Sequence, residues 1–289
     1  MEYLERRVGL VNDRLAATIE AADPDALSDQ LGHVVLAGGK RVRPAVTILS
    51  CEAVGGDREQ AIDFAAGIEL VHNASLVIDD IIDRSDTRRG TPSAWAEYGY
   101  GSAIIASDGL LGEAFALFAD NDHAMKIVAE SMVELGEGES TELAARPTTE
   151  AEYMTLARRK TGALFRASAE LGAVAGGADT ETVDAFGEYA ERVGVAFQIR
   201  DDVLDATASS ADLGKPAGQD ETMDRPSLIR SRISRQPRVT SVPASSRILP
   251  WRLSMPSIFP RPTLRRISVI SPSLLLSVSD SGGGMETLF

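Results

Sequence analysis

The sequence predicts an all-α protein, and three observations carry that prediction. Apolar residues make up 44% of the 289 and aromatics only 5%, a composition that favours helices over an aromatic-rich β-sandwich. β-Branched residues are sparse in the first two thirds of the chain, where strands would need them. Apolar positions also recur every three or four residues from the N-terminus onward, the pattern of amphipathic helices.

The elements follow in order. Leu4, Val8, Val11, Leu15 and Ile19 form one helical stripe. The stretch AADPDALSD interrupts it, with Pro24 suited to the first turn of a second helix. In LAGGKRVRP the paired Gly38 and Gly39 break the chain before a third. From about Pro44 through Asp83 the pattern is helical apart from the VGGD turn at 54–57, whereas RRGTPSAWAEYGYG, rich in Gly and Pro, is expected to be a loop. Further helices are expected over 102–119, 123–136, 150–175 and 180–207, separated by ADND, ARPTT and AGGAD. Seven or eight such segments make one helical domain over residues 1–228.

After about Leu228 the character changes. Residues 229–289 are dense in Ser, Pro and Arg and keep no steady helical period. The ordinary reading is a disordered basic arm; the sharper one is an out-of-frame reading of the gene. From Arg225 onward there are 10 Arg, no Lys and 2 acids, whereas residues 1–224 hold 41 acids and 19 bases. An acidic body of that kind argues against nucleic acid as a partner. With only Lys40, Lys126, Lys160 and Lys215 as lysines, it also fits a halophilic protein kept soluble where salt screens charge.

Cys51 is the only cysteine, which points to a reducing, cytoplasmic setting. The N-terminus lacks the apolar core of a secretory signal. No run of about 18 uninterrupted apolar residues occurs, so no membrane span is expected.

The chemistry is concentrated in two stretches, SLVIDDIIDRSD and AFQIRDDVLDAT. Each sets Asp-Asp-x-x-Asp behind an apolar run, and Asp201 lies 122 positions beyond Asp79. On a helix, residues four apart share a face, so Asp79 and Asp83 project together, as do Asp201 and Asp205. Acids at this spacing are ordinarily a solvated face. Here they stand among residues that want burial, and an uncompensated buried carboxylate costs several kcal/mol. Some cation must meet them. Lys or Arg could serve, but two all-oxygen sets suit Mg2+, which takes one or two carboxylates and completes its shell with water and phosphate oxygens. His and Cys are absent from both motifs, which disfavours zinc. Lys40, Arg41 and Arg43 in GGKRVRP, Arg88 and Arg89 after the first motif, and Lys215 in LGKPAGQD supply cations for phosphate.

Together GGKRVRP, DDIIDRSDTRRG, RRKTGALFRASAELG and FQIRDDVLDATASSADLGKPAGQD resemble the ordered motif set of the trans-isoprenyl diphosphate synthases, the polyprenyl synthetase family. The resemblance spans roughly residues 36–228. It implies a single-domain antiparallel helical bundle around a central cavity, and head-to-tail condensation of isopentenyl diphosphate with an allylic diphosphate. The expected product has about twenty carbons or more, and about three Mg2+ ions are expected per site with substrate bound.

Position by position, the resemblance implies that Asp79, Asp83, Asp201 and Asp205 bind metal. Lys40, Arg43, His72 and Arg89 would hold isopentenyl diphosphate, and Arg88, Lys160 and Lys215 the allylic diphosphate. Thr161 and Gln198, with Lys160, would stand beside the developing carbocation. Ala74, Ser75 and Val71, with Ile68, would set the floor of the product channel, which lacks the bulky aromatic of short-chain members. A homodimer is usual in the family. Three positions depart from its pattern: Ile78 and Trp95 stand where His is frequent, and Arg225 where Lys is common. Two other readings stay open: an inactive or regulatory helical subunit, and a metal-dependent phosphohydrolase, for which neither motif offers a convincing nucleophile or base.

Overall fold

The computed structural model describes residues 2–144 and 147–207, with side chains through Val203. The expected segment 229–289, and with it the domain boundary at 228, lies outside the described residues. Within them the chain is helical except for one two-stranded hairpin. Helix α1 (Glu2–Glu20) carries the expected stripe, with Val11 and Leu15 fully buried. Pro24 precedes α2 (Asp25–Leu36) as its N-cap. Arg41 takes that place before α3 (Val42–Ala53), in a left-handed conformation at φ 48°.

A short 3-10 turn (Arg58–Ala61), closed by a reciprocal Asp57–Gln60 capping box, leads into α4 (Ile62–Asp83). This helix is the centre of the molecule. It packs on α1 and α3, on α5 (Ala94–Phe118) and on α8 (Ala163–Ala175), and buries Ile68, Leu70, Val71 and Ala74. Gly67 lets α5 come close, because a Cβ there would sit 2.4 Å from the Phe118 ring. A second small cluster joins α3 and α8 to α9 (Thr180–Thr207) through Val46, Phe165 and Phe186.

The segment expected to be a loop after Arg88 is more ordered than its composition suggests. Strands β1 (Thr87–Arg88) and β2 (Thr91–Pro92) pair antiparallel. Their two-residue turn, Arg89 and Gly90, has φ of 53° and 81°, the positive values that suit a tight hairpin. Helix α5 then begins at Ala94, eight residues before the expected 102, and continues through a kink at Gly99 (φ 82°, ψ 163°). The glycine that reads as a loop residue marks this joint between two helical pieces. Helix α6 (Asp122–Ala144) also outruns its expected end at 136.

Helix α7 (Glu150–Ala157) starts at a Thr149–Glu152 capping box and passes into α8 through a π-helical turn, Arg158–Gly162. The amide of Ala163 reaches the carbonyl of Arg158, five residues back. The expected single helix over 150–175 therefore contains one widened turn, and Lys160 and Thr161 lie on it. By length and composition α4 with its preceding turn, and α5, could each cross a membrane. Most of the first is buried within the protein, as in a core helix, whereas the apolar window of α5 is 33% buried.

Candidate active site

A cavity of about 700 Å3 is lined by residues of α3, α4, α6, the π-turn and α9, a size typical of small-molecule sites. Asp79 from α4 and Asp201 from α9 both line it. The two aspartate motifs, far apart in sequence, thus meet at one place. Asp83 lies one turn beyond Asp79, half-buried and outside the lining. Asp205 falls within α9, but its side chain, like Lys215, lies outside the described residues.

The basic wall is built on a buried ion pair that sequence reasoning missed. Arg41 Nη1 donates to Glu69 Oε1 at 2.7 Å, Nη2 to the Val35 carbonyl at 2.6 Å and Nε to Asn12 Oδ1 at 3.0 Å. These bonds tie the GGKR loop to α1, α2 and α4, and the neighbouring Lys40 and Arg43 line the cavity. Arg43 Nε is buried without a hydrogen-bond partner, with its guanidinium carbon 5.1 Å from the centre of the Phe165 ring. Burial lowers its pKa to about 10, so it remains charged at neutral pH. A desolvated cation of this kind is suited to receive an anion.

His72 and Arg89 complete this wall. Burial, reinforced by Arg43, Arg89, Arg88 and Arg41, holds the His72 imidazole well below its usual pKa. It is therefore neutral and offers a hydrogen bond instead of charge. Arg89 donates to the Gly38 carbonyl and, at 3.5 Å, to Asn73 Oδ1. Arg88, expected on the allylic side, grips the buried Asp80 with two bonds, Nε to Oδ2 at 2.6 Å and Nη2 to Oδ1 at 2.7 Å. That bidentate clamp fixes the hairpin to the end of α4.

Across the cavity, Lys160 lies 2.5 Å from Glu142 Oε2 and 3.0 Å from Glu139 Oε1. Burial works against its charge, but Glu142, Glu139 and Asp79 outweigh this and raise its pKa. Glu139 and Glu142 were not anticipated. They sit three apart on an acid-rich helix, where such residues look like a solvated face. Next to Lys160, the Thr161 hydroxyl donates to Gln198 Oε1 at 2.6 Å. Of the expected floor residues, Ser75 lines the cavity. Ala74 and Val71 are about 1% exposed and belong to the core with Ile68, and the Ala74 carbonyl accepts from Ser107 Oγ.

The carboxylates fit a hard divalent cation. Burial, then the nearby Glu139, push the Asp79 carboxyl up to about 7 despite Lys160, which marks a site short of positive charge. Among the described residues no three His, Cys, Asp or Glu gather as one ion's shell.

Known proteins share this arrangement of chain. The Polyprenyl synthetase family model matches residues 24–238. A "Short chain isoprenyl diphosphate synthase" of Methanothermobacter thermautotrophicus is 37% identical over 229 residues, which cover 76% of this chain and 70% of that protein. A "Geranylgeranyl diphosphate synthase" of Methanosarcina mazei is 36% identical over 230 residues, 76% of this chain and 71% of the relative. Among solved structures, geranylgeranyl pyrophosphate synthetase from Pyrococcus horikoshii Ot3 superposes with a TM-score of 0.74 at 33% identity. That match covers 96% of this chain and 83% of the other.

Proposed function

The chain belongs to the polyprenyl synthetase family, and on that premise we propose that it is a prenyltransferase. It joins isopentenyl diphosphate head to tail with an allylic diphosphate and releases pyrophosphate, which carries off the proton lost as the new double bond forms. The product is a prenyl diphosphate of about twenty carbons or somewhat longer, the length named for the geranylgeranyl relatives. One observation carries this reading: a single cavity is lined by Asp79, Asp201, Lys40, Arg43, Arg89 and Lys160 together with Thr161 and Gln198. Carboxylates for metal, cations for phosphate and neutral oxygens for a carbocation are what the reaction needs.

Asp79, Asp83 and Asp201, with Asp205, would hold Mg2+, about three ions once substrate is present. Bound magnesium would neutralise the negative charge that develops on the departing pyrophosphate. Lys160, with Lys215 and Arg88, steadies the allylic diphosphate, and Arg88 also keeps the hairpin in place through Asp80. Arg43, Lys40, Arg89 and neutral His72 hold the second diphosphate. As the allylic carbon–oxygen bond breaks, lone pairs of Thr161 and Gln198 face the positive charge. Leu76, Leu135, Leu164, Phe165 and Phe197 keep water from it.

Incubation with isopentenyl diphosphate, an allylic diphosphate and Mg2+, followed by chromatography of the dephosphorylated products, tests the reading. Elongated chains support it. Phosphate release without coupling would instead favour a phosphohydrolase, and silence an inactive subunit, a reading to which the comparisons lend no support. We further assign the protein to the cytoplasm, supported by its single, buried Cys51, and to a homodimer, supported by Tyr100, Ile104 and Ile105 on α5, which are 51%, 46% and 59% exposed. Light scattering at micromolar concentration checks the dimer; a monomer overturns it. The tail over 229–289 is assigned to an out-of-frame reading, which resequencing of the gene tests.

A further inference from the structure

Thr161 and Gln198 belong to a longer hydrogen-bonded chain whose far end is not catalytic. Thr161 Oγ1 donates to Gln198 Oε1 at 2.6 Å, Gln198 Nε2 donates to Asp202 Oδ1 at 2.8 Å, and the Tyr153 hydroxyl donates to Asp202 Oδ2. Tyr153 stands on α7, Thr161 on the π-turn, and Gln198 and Asp202 one turn apart on α9. Asp202 accepts at both of its oxygens, Oδ2 from Tyr153 and Oδ1 from Gln198, so the Gln198 amide turns its NH2 toward it. Its carbonyl oxygen then faces Thr161, whose only hydroxyl hydrogen is committed to that oxygen. What Gln198 and Thr161 leave for the cavity they line is lone pairs. With the amide reversed, an N–H would point where positive charge develops, and two oxygens would face each other at Asp202.

We propose that Tyr153 and Asp202 are positioning residues that set which way the Gln198 amide faces, and so present the oxygens of Gln198 and Thr161 to the reacting carbon. The proposal rests on the prenyl-transfer reading. Tyr153 occupies one oxygen of Asp202 and leaves the other for Gln198, so the chain has one polarity from α7 to the cavity. Neither residue lines the cavity. Their effect should therefore fall on the chemical step and spare binding.

Steady-state kinetics of Tyr153→Phe and Asp202→Asn test this. An Asn at 202 can present its own NH2 and permits the reversed amide. Each variant is expected to lose roughly tenfold or more in kcat, with both diphosphate KM values within about twofold of wild type. The decisive measurement is Tyr153→Phe in a Gln198→Ala background, where no further loss is expected because the group it orients is gone. An equal loss in both backgrounds, no loss in either, or a rise confined to one KM overturns the proposal. Side-chain amide NMR of the full chain supplies a readout free of activity. Solvent exchange of the Gln198 NH2 protons slowed by their bond to Asp202 is expected in the wild type and faster exchange in both variants; fast exchange already in the wild type overturns the proposal. A wild type that fails to elongate any substrate defeats the prenyl-transfer reading, while the NMR result still decides the orientation.

Discussion

Arg43 keeps a half-buried guanidinium whose Nε is sealed from solvent without a hydrogen-bond partner, so a phosphate arriving there meets a cation that has already given up part of its water. Arg43→Gln is therefore expected to raise the KM for isopentenyl diphosphate by about ten- to a hundredfold while the allylic KM stays within about threefold. Steady-state kinetics with each substrate varied in turn checks the split. On the proposed assignment of Asp79 to magnesium, Asp79→Asn should lower kcat by about a hundredfold or more, because charge would accumulate there unneutralised; magnesium titrations of the rate measure it. Asp79 and Asp201 were legible as site residues because a carboxylate inside an apolar run demands a partner. Glu139, Glu142 and Tyr153 were not, because their meaning comes from what another helix brings to them. Glu142 is an unremarkable acid until Lys160 arrives at 2.5 Å.

Helix α4 carries two adjacent residues with opposite fates, Ser75 on the cavity and Ala74 in the core. Both were expected at the channel floor, and one step of helical phase separates their outcomes. Ser75→Phe is expected to shorten the product, read by chromatography, at little cost in stability. Ala74→Phe should cost about 1 to 3 kcal/mol by overpacking against α5, seen in denaturant melts. On α8, burial raises Glu170 to about 7, outweighing the opposing Arg166. Its ordinary value is 4.5, so the folded state holds the proton more tightly. The contribution to stability is complete below about pH 4.5 and is lost as pH climbs through 7, on the order of 3 kcal/mol in all. Glu170→Gln should flatten that part of the stability–pH curve, measured by urea unfolding. Helix existence was readable throughout, boundaries less so. Capping pairs such as Thr149 with Glu152 announce a start locally, whereas the kink at Gly99 and the wide turn before α8 depend on tertiary packing and leave only a glycine or nothing at all in the sequence.

The whole chain carries a formal charge of −14, with its acids concentrated before residue 225. Repulsion among them opposes the compact state and weakens as salt shortens the Debye length to about 3 Å at 1 M. The thermal midpoint is therefore expected to rise by several degrees between about 0.1 M and about 2 M KCl, checked by calorimetry; a flat or falling midpoint contradicts a halophilic design. That the two aspartate motifs converge was readable from their shared pattern, but the volume and lining of the space between them arise from the packing of α3, α4, α6 and α9 and have no local signature. The widened turn at Arg158–Gly162 bears on how this family can change. Losing a single codon there would close the wide turn into ordinary winding with little net rotation of α8 against α7, because a π turn spends one more residue than an α turn on about the same revolution. The change would fall on Lys160 and Thr161, which lie on the turn itself, so a one-residue deletion here should break their bonds to Glu139, Glu142 and Gln198 while the flanking helices stay packed.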